Sequence, residues 1–351
     1  MSSPTVAYPL ATGGALPSGP SAAPAAALAV TFGLSSVDRE YYFVDLVDLS
    51  GHVVASAKAR MRSQVTGMCG NDFQVYPAMP LISTSAGRAY YLDGDTDVRF
   101  LAPDGSTGLA TRVSGSSQSV AMFAVSPDDR KIAVSVFDYR SHPVGASLYV
   151  QDLAGVGNHV YLPSSGLAYR WPAGWHGGDL LVGSDGTPDP GFGFYAPLPY
   201  RITQFQLLDP ATGGVVATLG DSGCRPQSSL PSAGGVACET PRLGVGAIDW
   251  SGKTTIYATG DAFTGGASLS PDGTKLAASG SGAILHLISS PATGSKESDI
   301  GGGYPGDGGW LDANHVVVRG GPSQFVIDLQ AGRNFGLPSQ TVLAARLPGG
   351  Y

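Results

Sequence analysis

The fold is decided by a phrase that the sequence contains twice, as Phe123-Ala-Val-Ser-Pro-Asp-Asp-Arg-Lys-Ile-Ala-Val-Ser135 and as Ala267-Ser-Leu-Ser-Pro-Asp-Gly-Thr-Lys-Leu-Ala-Ala-Ser279. In each copy an apolar run leads into Ser-Pro-Asp-x, and a second apolar run follows. Proline fixes φ in such a turn, aspartate accepts hydrogen bonds from turn amides, and Gly273 tolerates a positive φ. The phrase therefore predicts two strands joined by a tight turn, with Ser126 and Ser270 as turn residues rather than catalytic ones.

A second phrase recurs seven times. In it, a β-rich run ends in a turn of the Asp-x-x-Gly type, and another short strand follows. The runs, each with its turn glycine, are Val44–Leu49 with Gly51, Val98–Pro103 with Gly105, Leu148–Leu153 with Gly155, Ile202–Pro210 with Gly213, Gly246–Trp250 with Gly252, Ile284–Ser289 with Gly294, and Phe325–Leu329 with Gly332. Successive turn glycines lie 38 to 58 residues apart, which suits one four-stranded blade of a propeller.

Over residues 28–347 these phrases resemble the TolB-like and WD-type β-propeller families, whose blades carry a Ser-Pro-Asp-Gly turn before the second strand. The resemblance implies an all-β ring of four-stranded antiparallel blades, and the repeat count predicts seven of them. Only two units keep Ser-Pro-Asp; the degenerate versions are Leu81–Tyr91, Trp171–Val182, Leu230–Cys238 and Trp310–Val318. Six or eight blades are the alternatives. A six-bladed ring is the main rival, because the interval between Gly213 and Gly252 is only 39 residues and contains Cys224 and Cys238 where two strands must fit.

The two ends of the repeated region are expected to complete one blade together. Residues 28–58 supply only three strands, whereas Thr341–Leu347 is a spare apolar strand with no hairpin of its own. Pairing the two closes the ring without leaving an exposed sheet edge at the seam. We therefore expect residues 28–351 to form one domain, preceded by a disordered tether rich in Pro, Ala, Ser and Gly over residues 1–27.

Composition excludes several classes of function. The chain contains 51 glycines and 26 prolines. These residues interrupt it frequently, which favours many short strands and almost no helix. The formal charge of −7 comes without any Lys/Arg cluster, so a nucleic-acid partner is not expected. Apolar runs are far shorter than the roughly 20 residues of a membrane-spanning helix. Residues 1–27 lack the features of a secretory signal. We expect the protein to be a monomer.

The chain contains three cysteines, Cys69, Cys224 and Cys238. Cys224 and Cys238 enclose a Pro/Ser/Gly loop that a disulfide would stabilise, and at least one cysteine has no partner in the chain. The low lysine content and such a disulfide favour an extracytoplasmic or cell-surface location over a cytosolic one.

Candidate binding residues lie in the loops between second and third strands and between blades, which share one face of a propeller. The longest loop, residues 183–201, contains several aromatic and acidic side chains, and long loops on a rigid scaffold are often functional. Residues 70–76, 138–142 and 301–308 belong to the same face. The ligand-binding candidates are Asp138, Tyr139, Arg140, His142, Asp185, Asp189, Phe192, Phe194, Tyr195 and Tyr200. The aromatic side chains at 192–195 have an alternative role, which is to pack the loop onto its neighbours.

Asp93, Asp95 and Asp97 are three carboxylates at alternate positions that could converge on a calcium ion. The EF-hand pattern is not met, however, because Val98 occupies the sixth position and no acid occupies the twelfth. A solvated hairpin turn is the alternative interpretation. The six histidines form no compact metal-binding motif; His142, beside Asp138 and Arg140, is the candidate for acid–base chemistry.

Two functions remain open from the sequence. The first is a non-enzymatic binding or scaffold propeller that presents its loop-rich face to a protein or a glycan. The second is a hydrolase or lyase with its site in the central channel or upper funnel, with or without a metal. No Gly-x-Ser-x-Gly elbow and no phosphate-binding loop is present, so no catalytic residues are assigned.

Overall fold

The computed structural model describes residues 14–16, 19–34, 40–69, 72–76, 82–140, 145–155, 159–162, 169–185, 204–221, 223–226, 231–241, 244–259, 263–280, 284–291, 297–302, 304–320, 323–338 and 341–351. In these residues the protein is a β-propeller of seven four-stranded antiparallel blades. They contain no α-helix, and hence no helix long and apolar enough to cross a membrane.

The blades follow one another along the chain, and we number their strands from first to fourth in the order of pairing. The strands of blades 1 to 4 are Thr341–Leu347, Leu28–Leu34, Tyr41–Val47 and Val53–Arg60; Ile82–Thr84, Ala89–Asp93, Asp97–Leu101 and Thr107–Arg112; Ser119–Val125, Lys131–Asp138, Gly145–Asp152 and Val160–Leu162; and Tyr169–His176, Asp179–Asp185, Gln204–Leu208 and Val215–Leu219. Those of blades 5 to 7 are Arg225–Pro226, Val236–Glu239, Val245–Ile248 and Thr254–Ala258; Phe263–Leu269, Lys275–Gly280, Ile284–Ser289 and Glu297–Gly302; and Tyr304–Trp310, His315–Gly320, Ser323–Asp328 and Arg333–Gly336.

Outside blade 5, the first strands of neighbouring blades lie against one another, so the first strands surround the axis of the ring; blade 5 contacts blade 6 through its second strand. Because adjacent strands are antiparallel, the turns between first and second strands and between third and fourth strands lie at one end of every blade. We call this end the lower face. The loops between second and third strands, and the connections between blades, lie at the opposite end, the upper face.

The ring is closed by the strand expected to close it. Thr341–Leu347 pairs with Leu28–Leu34 in register from Leu28 opposite Leu347 to Gly33 opposite Thr341. Its side chains alternate between buried and partly exposed positions, with Leu343, Ala345 and Leu347 in the core. The seam is therefore a four-stranded blade with hydrophobic contacts to its neighbours on both sides.

The hairpin turns show why the Asp-x-x-Gly phrase recurs. In six of the seven turns the glycine lies in the described residues, and each of these six has a φ between 63° and 88°, a region that glycine adopts without steric cost. The turn aspartate accepts hydrogen bonds from the following main chain, as Asp48 of the turn at Gly51 does from the amide of Ser50 at 2.8 Å. Asp104, which directly precedes Gly105, accepts likewise from the amide of Ser106 at 2.9 Å. Its hydrogen bonds to the Ser106 hydroxyl and amide lower the pKa of Asp104, so these acids form turns rather than a site.

Apolar residues between neighbouring blades form the core. Two tryptophans on first strands also donate across a blade boundary: Trp175 Nε1 to the carbonyl of Ala124 at 3.2 Å, and Trp310 Nε1 to the carbonyl of Ser268 at 2.9 Å. Each joins its blade to the preceding one, and the two preceding blades are those with the Ser-Pro-Asp turns. The indole N–H groups of these two tryptophans are thus satisfied while their rings pack in the core.

Blade 5 has the shortest first strand of the seven, with two residues. The sequence locates the first two strands of this unit within Leu230–Cys238, but the structure forms the first from Arg225–Pro226 and the second from Val236–Glu239. A disulfide between Cys224 and Cys238 joins the two, with Cα atoms 5.3 Å apart. Two residues supply little pairing, and the disulfide holds this short strand on its blade.

Two further elements lie outside the repeated pattern. A hairpin of Val65–Cys69 and Asp72–Tyr76 is inserted between blades 1 and 2, where the sequence suggests a loop. Gly14–Ala15 pairs in parallel with the fourth strand of blade 2. The amide of Ser21 donates to the carboxylate of Asp129 at 2.9 Å, so this part of the expected tether lies against the propeller. Residues 1–13 are outside the described residues.

Candidate binding face

The upper face of blades 1 to 3 has a rim of charged side chains that the fold brings together. The loop between the second and third strands of blade 2 contains Asp93, Asp95 and Asp97, and each of these carboxylates has its own donor. Asp93 accepts from the amide and the Nε of Arg60, both at 2.9 Å. Since Arg60 ends the fourth strand of blade 1, this ion pair ties two blades together.

The other two carboxylates of this loop bind different partners. Asp95 accepts from the amide of Ser63 at 2.7 Å and from its hydroxyl at 2.8 Å. Asp97 accepts from Arg112 Nε at 3.0 Å. The loop is therefore a set of separate anchors, and among the described residues no group of three His, Cys, Asp or Glu side chains is placed to hold a metal ion.

On blade 3, Asp138 and Arg140 form a third ion pair of the rim. Arg140 donates to Asp138 through its Nε at 2.8 Å and also through an Nη and its amide. These hydrogen bonds to Arg140 lower the pKa of Asp138 to about 2, so this carboxylate is ionised at neutral pH. An ionised, arginine-bound carboxylate is poorly suited to act as a general base.

The three arginines of this rim, Arg60, Arg112 and Arg140, share one arrangement. Each has a carboxylate on one side of its guanidinium and most of its surface in solvent, with side chains 58%, 70% and 67% exposed. We call them the anchored arginines. The sequence gives no sign of the first two, because their partners lie 33 and 15 residues away.

Below the rim, two buried side chains support it. Tyr139, a ligand-binding candidate from the sequence, is 7% exposed and packs in the core, with its amide bound to the carbonyl of Gln118 at 2.9 Å. Arg62 is also buried, and burial lowers its pKa while Asp95 and Tyr139 favour its charge. Tyr139 is thus a supporting residue of the face rather than an exposed contact.

The remaining candidates cannot be placed. His142, Asp189, Phe192, Phe194, Tyr195 and Tyr200 lie outside the described residues, as does the side chain of Asp185, which ends the second strand of blade 4.

The lower face is closed at its centre by residues 348–351, which we call the tail. After the closing strand, the tail crosses blades 2 to 4. The amide of Gly349 donates to the carbonyl of Ser85 at 2.7 Å, and the amide of Tyr351 donates to the carbonyl of Trp175 at 2.9 Å. The ring of Tyr351 lies against Gly174, where an added Cβ would be 2.5 Å from the Tyr351 Cε2 atom. Blade 4 therefore has a notch that fits this ring only because residue 174 is glycine.

An aromatic stack completes this closure. The ring of His176 stacks on that of Trp250 with centroids 4.2 Å apart, and Trp250 stacks on Tyr351 at 5.9 Å. His176 Nδ1 also lies 2.7 Å from the main-chain oxygen of Tyr351. The tail thereby joins blades 1 to 5 across the lower mouth.

The sequence matches no protein-family model and no curated protein. It is similar in structure to an oligogalacturonate lyase in complex with manganese, with a TM-score of 0.50 and 10% identity over 86% of this chain and 82% of that one. Other similar structures are apo AztD from Citrobacter koseri (0.43 and 13%, over 92% and 100%) and TolB from Acinetobacter baumannii (0.42 and 12%, over 92% and 66%). The likeness to the lyase is one of fold alone.

Proposed function

We propose that the protein is a non-enzymatic binding propeller that recognises a protein or glycan partner on its upper face. The observation that carries this proposal is the contrast between the two faces of the described residues. The tail crosses the lower mouth and contacts several blades there, whereas the upper rim presents three exposed arginines whose guanidinium groups are bound by carboxylates.

Anchored arginines are good binding groups for a physical reason. A free arginine loses rotamer entropy when it binds, and this loss opposes association. An arginine whose Nε is bound by a carboxylate has lost part of this rotamer entropy before it binds a partner. Its outer N–H groups stay available for carbonyl, carboxylate or hydroxyl oxygens. Arginine is accordingly enriched among the residues that dominate protein interfaces.

The partner's side of such an interface would offer oxygen acceptors. Acidic or carbonyl-rich protein loops and hydroxyl-rich or uronate-containing glycans both meet this requirement. The ion pairs also expose carboxylate oxygens of Asp93, Asp97 and Asp138 at the rim, which suits a mixed polar surface rather than a purely anionic one.

A hydrolase or lyase is the competing function. The described residues of the rim offer no catalytic pair for such an enzyme, because the carboxylates of the rim are bound to arginine or serine. A lyase of this kind would be detected by incubating the protein with oligogalacturonate and manganese and following the ultraviolet absorbance of the new double bond. Turnover by the wild-type protein would contradict the proposal.

Photo-crosslinking in cells of the source organism tests the binding function. A photo-reactive amino acid is introduced at Ser117, exposed on the upper face of blade 2, and in a matched variant at Ser106, exposed on the lower face of the same blade. We expect a discrete crosslinked partner from position 117 and none from position 106. A glycan array probed with the same protein covers the case of a saccharide partner.

The affinity of the purified partner then decides whether the rim is the interface. We expect Arg112→Glu to weaken binding at least about tenfold, as for a residue within an interface. Arg333→Glu makes the same charge change at an exposed position of the lower face and should alter the affinity less than about twofold. Equal effects of the two substitutions would contradict an upper-face site.

A further inference from the structure

Arg346 lies at the centre of the ring. Its main chain belongs to the closing strand of blade 1, but its guanidinium reaches two other blades. Nη1 donates to the carbonyl of Trp310 in blade 7 at 3.0 Å, and Nη2 donates to the carbonyl of Pro231 in blade 5 at 3.0 Å. A side chain that joins blades 1, 5 and 7 must lie near the axis, just above the tail.

The described residues around this guanidinium contribute no negative charge. Its described hydrogen-bond acceptors are main-chain carbonyls, and the ring of Tyr351 lies 5.8 Å from its central carbon. Within the part of the chain that the structure describes, no carboxylate is within ion-pair distance of Arg346. Among the seven first strands, which surround the axis, only Tyr304–Trp310 has an acidic residue in its sequence, Asp307.

A cation in such a position is costly by itself. Burial lowers the pKa of Arg346, because desolvation disfavours the charged form, and the Tyr351 hydroxyl opposes this only in part. Arginine nevertheless stays protonated at neutral pH, so the charge persists at the axis. Carbonyl dipoles offset part of the desolvation cost, and an anion would offset more of it.

We propose that Arg346 is the centre of an oxyanion site at the axis of the ring, which takes a carboxylate or phosphate group. The two carbonyl bonds fix the plane of the guanidinium and leave three of its five N–H groups for the anion. Tyr351 and the tail form the lower boundary of the site. Arg346 as a residue is partly exposed to solvent. This site is separate from the upper rim and does not depend on the proposed partner.

Thermal unfolding of the full chain in the presence of anions tests the site. The probes are inorganic phosphate and malonate, each titrated at constant ionic strength against sodium chloride. We expect the melting temperature to rise saturably with either probe, because an anion that binds only the folded state stabilises it by mass action. At 100 times the dissociation constant the unfolding equilibrium constant should fall about 100-fold. A larger effect of one probe identifies which oxyanion the site prefers.

Substitutions assign the effect to Arg346. Arg346→Met removes the charge and should abolish the dependence on the probes, whatever it does to the stability itself. Arg112→Met removes an exposed arginine of the rim and should leave the dependence unchanged. If Arg346→Met does not fold, Arg346→Lys takes its place. Iodide quenching of the fluorescence is then compared between this variant and the wild-type protein. A saturable iodide quenching that the lysine variant weakens supports the site, because Trp250 and Tyr351 are stacked beside it.

Two results would overturn the proposal. One is a wild-type melting temperature that does not respond to phosphate or malonate beyond the chloride control. The other is an equal rise in melting temperature for the wild-type protein and Arg346→Met, which would place the anion elsewhere. Equal iodide quenching of the wild-type protein and Arg346→Lys would lead to the same conclusion.

Discussion

Replacing Asp129 should destabilise the propeller far more than replacing its neighbour Asp128. Asp129 accepts hydrogen bonds from Arg88 Nη1 at 2.9 Å, from the Tyr90 hydroxyl at 2.7 Å and from the Ser21 amide at 2.9 Å. It thereby joins blade 3 to blade 2 and to the segment that precedes blade 1. The ion pair with Arg88 is almost fully buried, with side chains 7% and 1% exposed.

The expected magnitude follows from this burial. Asp129→Asn keeps the shape of the side chain but leaves the charge of Arg88 without an anion in the core. Removing one partner of a buried ion pair costs about 3–5 kcal/mol. Asp128 pairs with Arg130 at 3.8 Å on the surface, with side chains 55% and 75% exposed, so Asp128→Asn should change the stability by less than about 0.5 kcal/mol.

Backbone geometry adds a second comparison at the same position. Asp129 has a φ of 59°, and the corresponding residue of the other Ser-Pro-Asp turn is Gly273, with a φ of 68°. Asp129→Gly loses the carboxylate but removes the left-handed strain, whereas Asp129→Ala loses the carboxylate and keeps a strain of about 1–2 kcal/mol. The glycine variant should therefore be more stable than the alanine variant.

Urea unfolding followed by tryptophan fluorescence measures all four variants. We expect midpoints in the order wild type and Asp128→Asn, then Asp129→Gly, then Asp129→Ala, with Asp129→Asn well below wild type. An Asp129→Asn midpoint equal to that of Asp128→Asn would refute the reasoning, because the buried ion pair would then contribute nothing.

Three further results are expected. Gly174→Val should lower the melting temperature, because its side chain would collide with the tyrosine ring of the tail. Gly177→Val shares the positive φ but has open space around it, so it should lower the melting temperature less, and equal effects would argue against a docked tail. Reducing the bond between Cys224 and Cys238, 14 residues apart, should cost about 3 kcal/mol; an unchanged melting temperature in reductant contradicts this. The pKa of Asp138 is lowered by its bonds to arginine, so the stability that this carboxylate contributes above pH about 4 should be lost as the pH falls towards 2; Asp138→Asn should reduce the acid sensitivity of the melting temperature.

The fold was predictable because its signals are local. A turn such as Asp-x-x-Gly needs a positive φ and an acceptor for its amides, and both requirements are visible in four residues. Ring closure by Thr341–Leu347 was predictable by counting strands. The hairpin of Val65–Cys69 and Asp72–Tyr76 was missed, although Gly70-Asn71 between two short β-rich runs is a recognised hairpin signal.

The candidate site was less predictable, because it depends on contacts between blades. The sequence identifies Asp93, Asp95 and Asp97 by their spacing, but their donors come from other strands. Nothing local shows that Arg60 would meet Asp93 across a blade boundary. The first strand of blade 5 was misplaced for the same reason, since its two residues are held by a disulfide rather than by an apolar pattern.

Hydrogen–deuterium exchange of the protein, measured alone and in complex with the partner that crosslinking identifies, tests the central claim most directly. The account predicts slower exchange on binding in upper-face segments, namely residues 93–97, 112–119 and 138–140. The lower-face turns at residues 102–106 and 270–275 should exchange at the same rate in both states. Protection of the lower-face turns with an unchanged upper rim would contradict the proposal that this propeller binds through its upper face.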